Sequence, residues 1–228
     1  MDTSANNRFT VKAPIGILGG TFDPVHYGHL RPALEICEQL ELDHVRLIPS
    51  KAPVHRPQPV APLEQRIVWL QQVAEEHPQF VVDLREVERD SPSWMVVTLE
   101  SLVTTFPDQP ICLIVGMDAF LALDSWHRWE SLFEFAHLIV SHRPNYTLPR
   151  QGAIAALLEA RGATDAEVLR QLPQQQGGRI LLHPVTQLEI SATAIRKMVA
   201  AGSDPRFLLP DTMRASVLDC YRLEEKRC

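Results

Sequence analysis

His26 and His29 stand three residues apart with Gly28 between them, just after Gly19, Gly20 and a short run over 21–24. Residues three apart on a helix share a face, and a glycine between them leaves that face open. Ile15, Ile17 and Leu18 read as a buried strand over 15–18, the glycines as a turn, and a helix is entered near His26. A strand, a glycine turn and a helix start together make an anion site. The first helical turn has N–H groups without partners and the positive end of the macrodipole, and glycine lets backbone approach a phosphate. Two imidazole donors there suit a polyphosphate whose charge grows during a reaction. Taken alone, the pair also reads as half-buried histidines at a helix start, or as two zinc ligands, although zinc wants more ligands and no cysteine lies near.

Toward the other end, Ser191, Thr193 and Arg196 offer the same chemistry. Ser191 is a natural N-cap for a helix over 192–201 that stops at Gly202, and Arg196 lies about one and a half turns further on. Hydroxyl and N–H groups at this second helix start can oppose the first anion site; the plain alternative is a capped surface helix. Between the two sets, strands are predicted at 15–18, 44–49, 80–82, 111–115, 136–140 and 179–183. Helices are predicted at 30–40 with Pro32 in its first turn, at 62–77, from Ser91 or Ser93 as cap to 105, from 116 through 123, and over 208–221. The continuous apolar run 111–115 is that of a central parallel strand, and the opening strand–helix–strand predicts a right-handed crossover. The fold class is therefore α/β, a doubly wound parallel sheet, with ligands at the carboxyl ends of its strands.

Residues 50–62 hold four prolines and cannot be regular; Lys51, His55 and Arg56 in it either face an anion or belong to a solvated connector. Arg66 points to the ligand or to solvent. Residues 145–178 carry helices near 153–161 and 165–172, then PQQQGG, and read as an insertion or mobile flap in a single domain spanning 1–228, with 1–13 a loose lead-in. The chain has 228 residues, 45% hydrophobic and 22% charged, and a formal net charge of −6. That balance marks a folded chain and argues against a general grip on nucleic acid. Cys37, Cys112, Cys220 and Cys228 form no C-x-x-C pair and read as reduced thiols. There is no secretory h-region and no run of eighteen apolar residues, so a cytoplasmic protein without a membrane span is expected.

Residues 20–29, G-T-F-D-P-V-H-Y-G-H, resemble the nucleotidylyltransferase signature G-(S/T)-F-D-P-x-H-x-G-H at all ten positions, and 190–196, I-S-A-T-A-I-R, resemble its I-S-(S/A)-T-x-(I/V)-R. No Gly-Lys-Ser/Thr of a Walker A loop follows Gly20. With the P-V-H-R loop, P-S-W-x-x-x-T-L, G-M-D and the Trp126 segment, the chain from Gly16 to Tyr221 is most similar to the bacterial nicotinate-nucleotide adenylyltransferases. The resemblance implies a Rossmann-like sheet of the nucleotidylyltransferase type. It also implies transfer of the adenylyl group of ATP to nicotinate mononucleotide, with Mg²⁺ carried mainly on the ATP phosphates.

His26, His29 and Arg196 are then catalytic. Gly19, Gly20, Thr21, Phe22, Gly116, Asp118 (toward the ribose, unless it only caps a helix), Arg143, Ile190, Ser191 and Thr193 bind ATP. Asp23, Lys51, His55, Thr98 and Trp126 (stacking on the pyridine, with Trp129 packing) bind nicotinate mononucleotide, and no protein metal ligands are implied. Met95 and Val97 depart from the family's Thr and Asp. Other acceptors, phosphopantetheine or nicotinamide mononucleotide, use the same chemistry. Class I aminoacyl-tRNA synthetases share H-x-G-H but need a K-M-S-K-S-like loop that is not seen, and a nucleotide-binding regulator is the non-enzymatic alternative.

Overall fold

A computed structural model describes residues 12–51, 58–142 and 148–222. Strand and helix alternate along it: β1 (Ile15–Gly20), α1 (Tyr27–Gln39), β2 (His44–Pro49), α2 (Leu63–Glu76), β3 (Phe80–Val82), α3 (Arg85–Glu88), α4 (Met95–Thr105), β4 (Ile111–Gly116), α5 (Met117–Leu121), α6 (Leu132–Phe135), β5 (His137–His142), α7 (Ala153–Arg161), β6 (Gly162–Ala163), α8 (Pro173–Gln176), β7 (Ile180–Pro184), α9 (Ala192–Ala200) and α10 (Asp211–Arg222). The strands form one parallel sheet in the order β3-β2-β1-β4-β5-β7-β6.

The apolar strands are buried on both faces because alternate residues point to opposite sides. Cys112 and Ile114 of β4 enter one core, with Leu30 and Ile36 of α1, Leu70 of α2, Ile195 of α9 and Val217 of α10. Ile111, Leu113 and Val115 enter the other, with Leu99 of α4, Phe120 of α5, Phe133 of α6 and Ile154 of α7. Helices therefore cover both faces, as expected for a doubly wound fold.

From β1 the chain builds β2 and β3 on one side, then crosses to place β4 on the other. The β1–β2 ladder runs to Gly20 opposite Pro49. The β1–β4 ladder stops at Ile17 opposite Leu113. The carboxyl halves of these two strands therefore part, leaving a crevice at the point where strand order reverses, which is where such sheets bind ligands.

Several boundaries differ from those expected of the sequence. The first helix begins at Tyr27, so Pro32 lies inside it rather than in its first turn, and proline's missing N–H leaves the Gly28 carbonyl without its i+4 donor. Neither Ser91 nor Ser93 caps α4, whose N-cap is Trp94; the Ser93 hydroxyl accepts the Lys51 N–H at 3.3 Å instead. The 165–172 segment forms a 3-10 turn, Ala166–Arg170, capped by Asp165. Within 148–178, expected as an insertion or flap, Ile154, Leu157 and Leu169 are buried, and β6 pairs with Ile180 and Leu181 at the sheet edge. Among the described residues no helix is long and apolar enough to cross a membrane.

Candidate active site

The glycine turn is built by close approach. A Cβ on Gly19 would lie 2.6 Å from Met95 Cε, so the missing side chain leaves room for the methionine at the start of α4 over the end of β1. Phe22 has a φ of 51°, the left-handed region that a bulky side chain rarely adopts. Its buried ring folds back against Gly20 and meets the edge of the His29 ring, with centroids 5.3 Å apart. Under the turn sits Arg66. It is neither facing a ligand nor solvated: it is buried, and its NH1 donates to the carbonyls of Thr21 at 2.7 Å and Ser50 at 3.0 Å. One guanidinium thus ties together the carboxyl ends of β1 and β2, and an arginine keeps its charge even so buried.

His26 is the N-cap of α1, in extended conformation with no side-chain capping bond. Its ring stacks on that of His29 with centroids 3.8 Å apart. A Cβ on Gly28 would lie 2.8 Å from the Ile190 carbonyl oxygen and 2.9 Å from His26 Nδ1. Glycine there admits both the second signature's backbone and the imidazole. Burial pulls the His26 pKa down to about 4, so the ring is neutral at pH 7. Its Nδ1 is buried without a hydrogen-bond partner. A proton on Nε2 avoids an orphaned N–H, the costlier of the two unsatisfied states. The Tyr27 N–H already donates to the Leu208 carbonyl at 3.0 Å, so this helix start has fewer open donors than a bare one.

The second helix start meets the first directly. Ser191 Oγ accepts the Ala194 N–H at 3.1 Å, the cap foreseen from the sequence. Arg196 NH2 donates to Thr193 Oγ1 at 3.3 Å, and its NH1 donates to the Asp23 carbonyl oxygen at 2.6 Å. Asp23, expected to bind the acceptor, is engaged inside the protein. Its buried carboxylate accepts the N–H groups of Val60 and Ala61, each at 2.9 Å, and the Tyr221 hydroxyl at 2.7 Å, and it lies 3.4 Å from Arg196 NH1. It is a knot inside the protein.

Gly116 and Asp118 are exposed at the end of β4, and Gly116, not Asp118, is the cap of α5. Thr98, expected at the acceptor, is fully buried and donates to Glu86 Oε1 at 2.6 Å. Lys51 Nζ turns to the Arg89 carbonyl at 3.2 Å and to Asp90 at 3.6 Å, on the surface. His55 and Arg143 lie outside the described residues.

Comparison with known proteins matches the cytidylyltransferase-like family over residues 17–198. A protein of Aeromonas salmonicida named "Probable nicotinate-nucleotide adenylyltransferase" is 46% identical over 212 residues, covering 93% of this chain and 96% of the relative. One of the same name from Methylococcus capsulatus is 48% identical over 200 residues, covering 87% and 94%. The chain belongs to the nicotinate-nucleotide adenylyltransferase family. The fold agrees with that of the Plasmodium falciparum nicotinic acid mononucleotide adenylyltransferase solved with NaAD, at a TM-score of 0.65 and 16% identity, covering 94% of this chain and 97% of that one.

Two aromatic groups remain to be placed in this adenylyltransferase. Trp126 and Trp129, expected to divide into a stacking and a packing role, are both half-buried against the same core. The sequence reading did not single out Trp94 as a ring partner, yet it stacks on His127 with centroids 4.7 Å apart. Both sit where α4 and the segment after α5 face each other, and P-S-W was the only signal available. Among the described residues no three His, Cys, Asp and Glu side chains stand together to hold a metal ion. The donors at the two helix starts are N–H, imidazole and guanidinium groups, which suit phosphate oxygens. A divalent cation that arrives on a nucleotide, holding phosphate oxygens and water, fits such a set.

Proposed function

We propose that the chain transfers the adenylyl group of ATP to nicotinate mononucleotide, giving deamido-NAD and pyrophosphate, a step of NAD biosynthesis. An oxygen of the acceptor phosphate attacks the α-phosphorus in line. The new P–O bond forms as the bond to the β-phosphate oxygen breaks, and pyrophosphate leaves with that electron pair. The acceptor is already an anion, so no protein nucleophile is needed; the protein positions and compensates charge. The observation that carries this reading is the meeting of the two signatures, Arg196 NH1 on the Asp23 carbonyl at 2.6 Å.

In this reading the backbone of Gly19, Gly20, Thr21 and Phe22 faces the ATP phosphates. Neutral His26, together with His29, donates to the oxygens that gain charge as pyrophosphate forms. Ile190, Ser191, Thr193 and Arg196 hold the β- and γ-phosphates, Gly116 and Asp118 the ribose, and Arg143 is assigned to ATP on the family motif. Lys51, His55 and Trp126 are assigned to the acceptor. Mg²⁺ bound to the triphosphate supplies further charge compensation. A cytoplasmic setting suits the buried thiols of Cys37 and Cys112, neither of which is in a disulfide.

The test is pyrophosphate release from ATP with nicotinate mononucleotide, nicotinamide mononucleotide or phosphopantetheine as acceptor. Nicotinate mononucleotide is expected to give the highest kcat/KM. No release with it, or a preference for phosphopantetheine, overturns the reading.

A further inference from the structure

Three other parts of the chain converge on the carboxylate of Asp23. Asp23 lies in the loop before α1, Val60 and Ala61 precede α2, Arg196 is on α9, and Tyr221 is near the end of α10, 198 residues from Asp23. Tyr221 is buried, and its hydroxyl donates to Asp23 Oδ1, the oxygen that also takes the Ala61 N–H. The helix that carries it is pinned nearby. Trp69 Nε1 of α2 donates to Ser216 Oγ at 2.8 Å, and the Trp69 ring lies 5.9 Å from that of Tyr221.

The other oxygen, Oδ2, takes the Val60 N–H and stands 3.4 Å from Arg196 NH1. That is a loose ion pair, and the Arg196 side chain keeps about a quarter of its surface exposed. Three donors share the charge of Asp23, so its pull on Arg196 is limited and guanidinium N–H groups remain for an incoming anion. We infer that Tyr221 is a positioning residue for the nucleotide, setting through Asp23 how far Arg196 extends toward the phosphates. Without the hydroxyl, Oδ1 loses one of its two donors, the carboxylate turns its charge on Arg196, and the guanidinium is drawn inward. This rests on the reading above that Arg196 holds ATP phosphates.

The experiment is a double-mutant cycle of Tyr221→Phe with Arg196→Lys, reading kcat and both KM values, with circular dichroism as the check on folding. Tyr221→Phe is expected to raise KM for ATP about tenfold and to leave KM for nicotinate mononucleotide within about twofold. In the Arg196→Lys background its added cost is expected to shrink below about twofold, because both changes act on one interaction. Equal effects on both KM values, no effect on either, or costs that simply multiply overturn the inference while leaving the function standing. An Arg196→Lys enzyme with unaltered kinetics overturns the site reading and this inference with it. Should Tyr221→Phe fail to fold, Asp23→Asn is measured instead: with the carboxylate charge gone Arg196 loses that inward pull, so KM for ATP is expected to fall by about twofold or more, and a KM for ATP that is unchanged or raised overturns the inference.

Discussion

His26 enters the site uncharged, and that has a consequence for stability. Its folded pKa of about 4 lies below the ordinary 6.5, so the unfolded chain takes up a proton that the folded chain refuses. The stability conferred by the neutral ring is fully present above pH 6.5 and is lost as pH falls toward 4, by up to about 3 kcal/mol. Urea denaturation at pH 7 and pH 4.5 is expected to show that wild type loses about 2 kcal/mol more than His26→Gln between those values. His137 and His183, also lowered by burial, are common to both proteins and cancel. An equal loss in the two proteins would mean that His26 is not held neutral. Asp23 and Thr98 match the motif by residue type, but a sequence does not reveal the internal partners that hold them, Tyr221 from 198 residues away and Glu86 from the preceding helix.

The meeting of α1 and α9 depends on a missing side chain. A methyl group on Gly28 would be driven against the Ile190 carbonyl and the His26 ring, so the two helix starts must separate or the imidazole must turn away. Gly28→Ala is expected to lower stability by about 1–3 kcal/mol and to cut kcat/KM for ATP by at least about tenfold. Thermal unfolding and initial rates check this together. Wild-type kinetics in that variant would mean that the close approach does not matter to the site. Elements with strong local signals were legible: β2, β3 and α7 begin and end where the apolar pattern does. Those set by distant partners were not. Ser93, expected as a cap of α4, instead accepts the Lys51 N–H, and β6, two residues long, is a strand by its pairing with Ile180 and Leu181.

At the scale of the molecule, the reversal of strand order between β1 and β4 opens the crevice, and the chain's last helices close around its first loop. Alternating strand and helix patterns made the doubly wound class readable, because both faces of each central strand are apolar. The cross-chain knot was not readable, since no local pattern links Asp23 with Tyr221. A cavity of about 830 Å³ lies elsewhere, between Glu35 and Gln39 of α1 and the segment from Pro184 to Glu189, and none of the signature residues line it. The direct test of the whole account is a crystal structure of the chain with a non-hydrolysable ATP analogue. Its triphosphate is expected to touch both residues 20–29 and residues 191–196, with the α-phosphorus open to an acceptor. A triphosphate lying on one of those segments alone, or in the cavity beside Glu35, would contradict it.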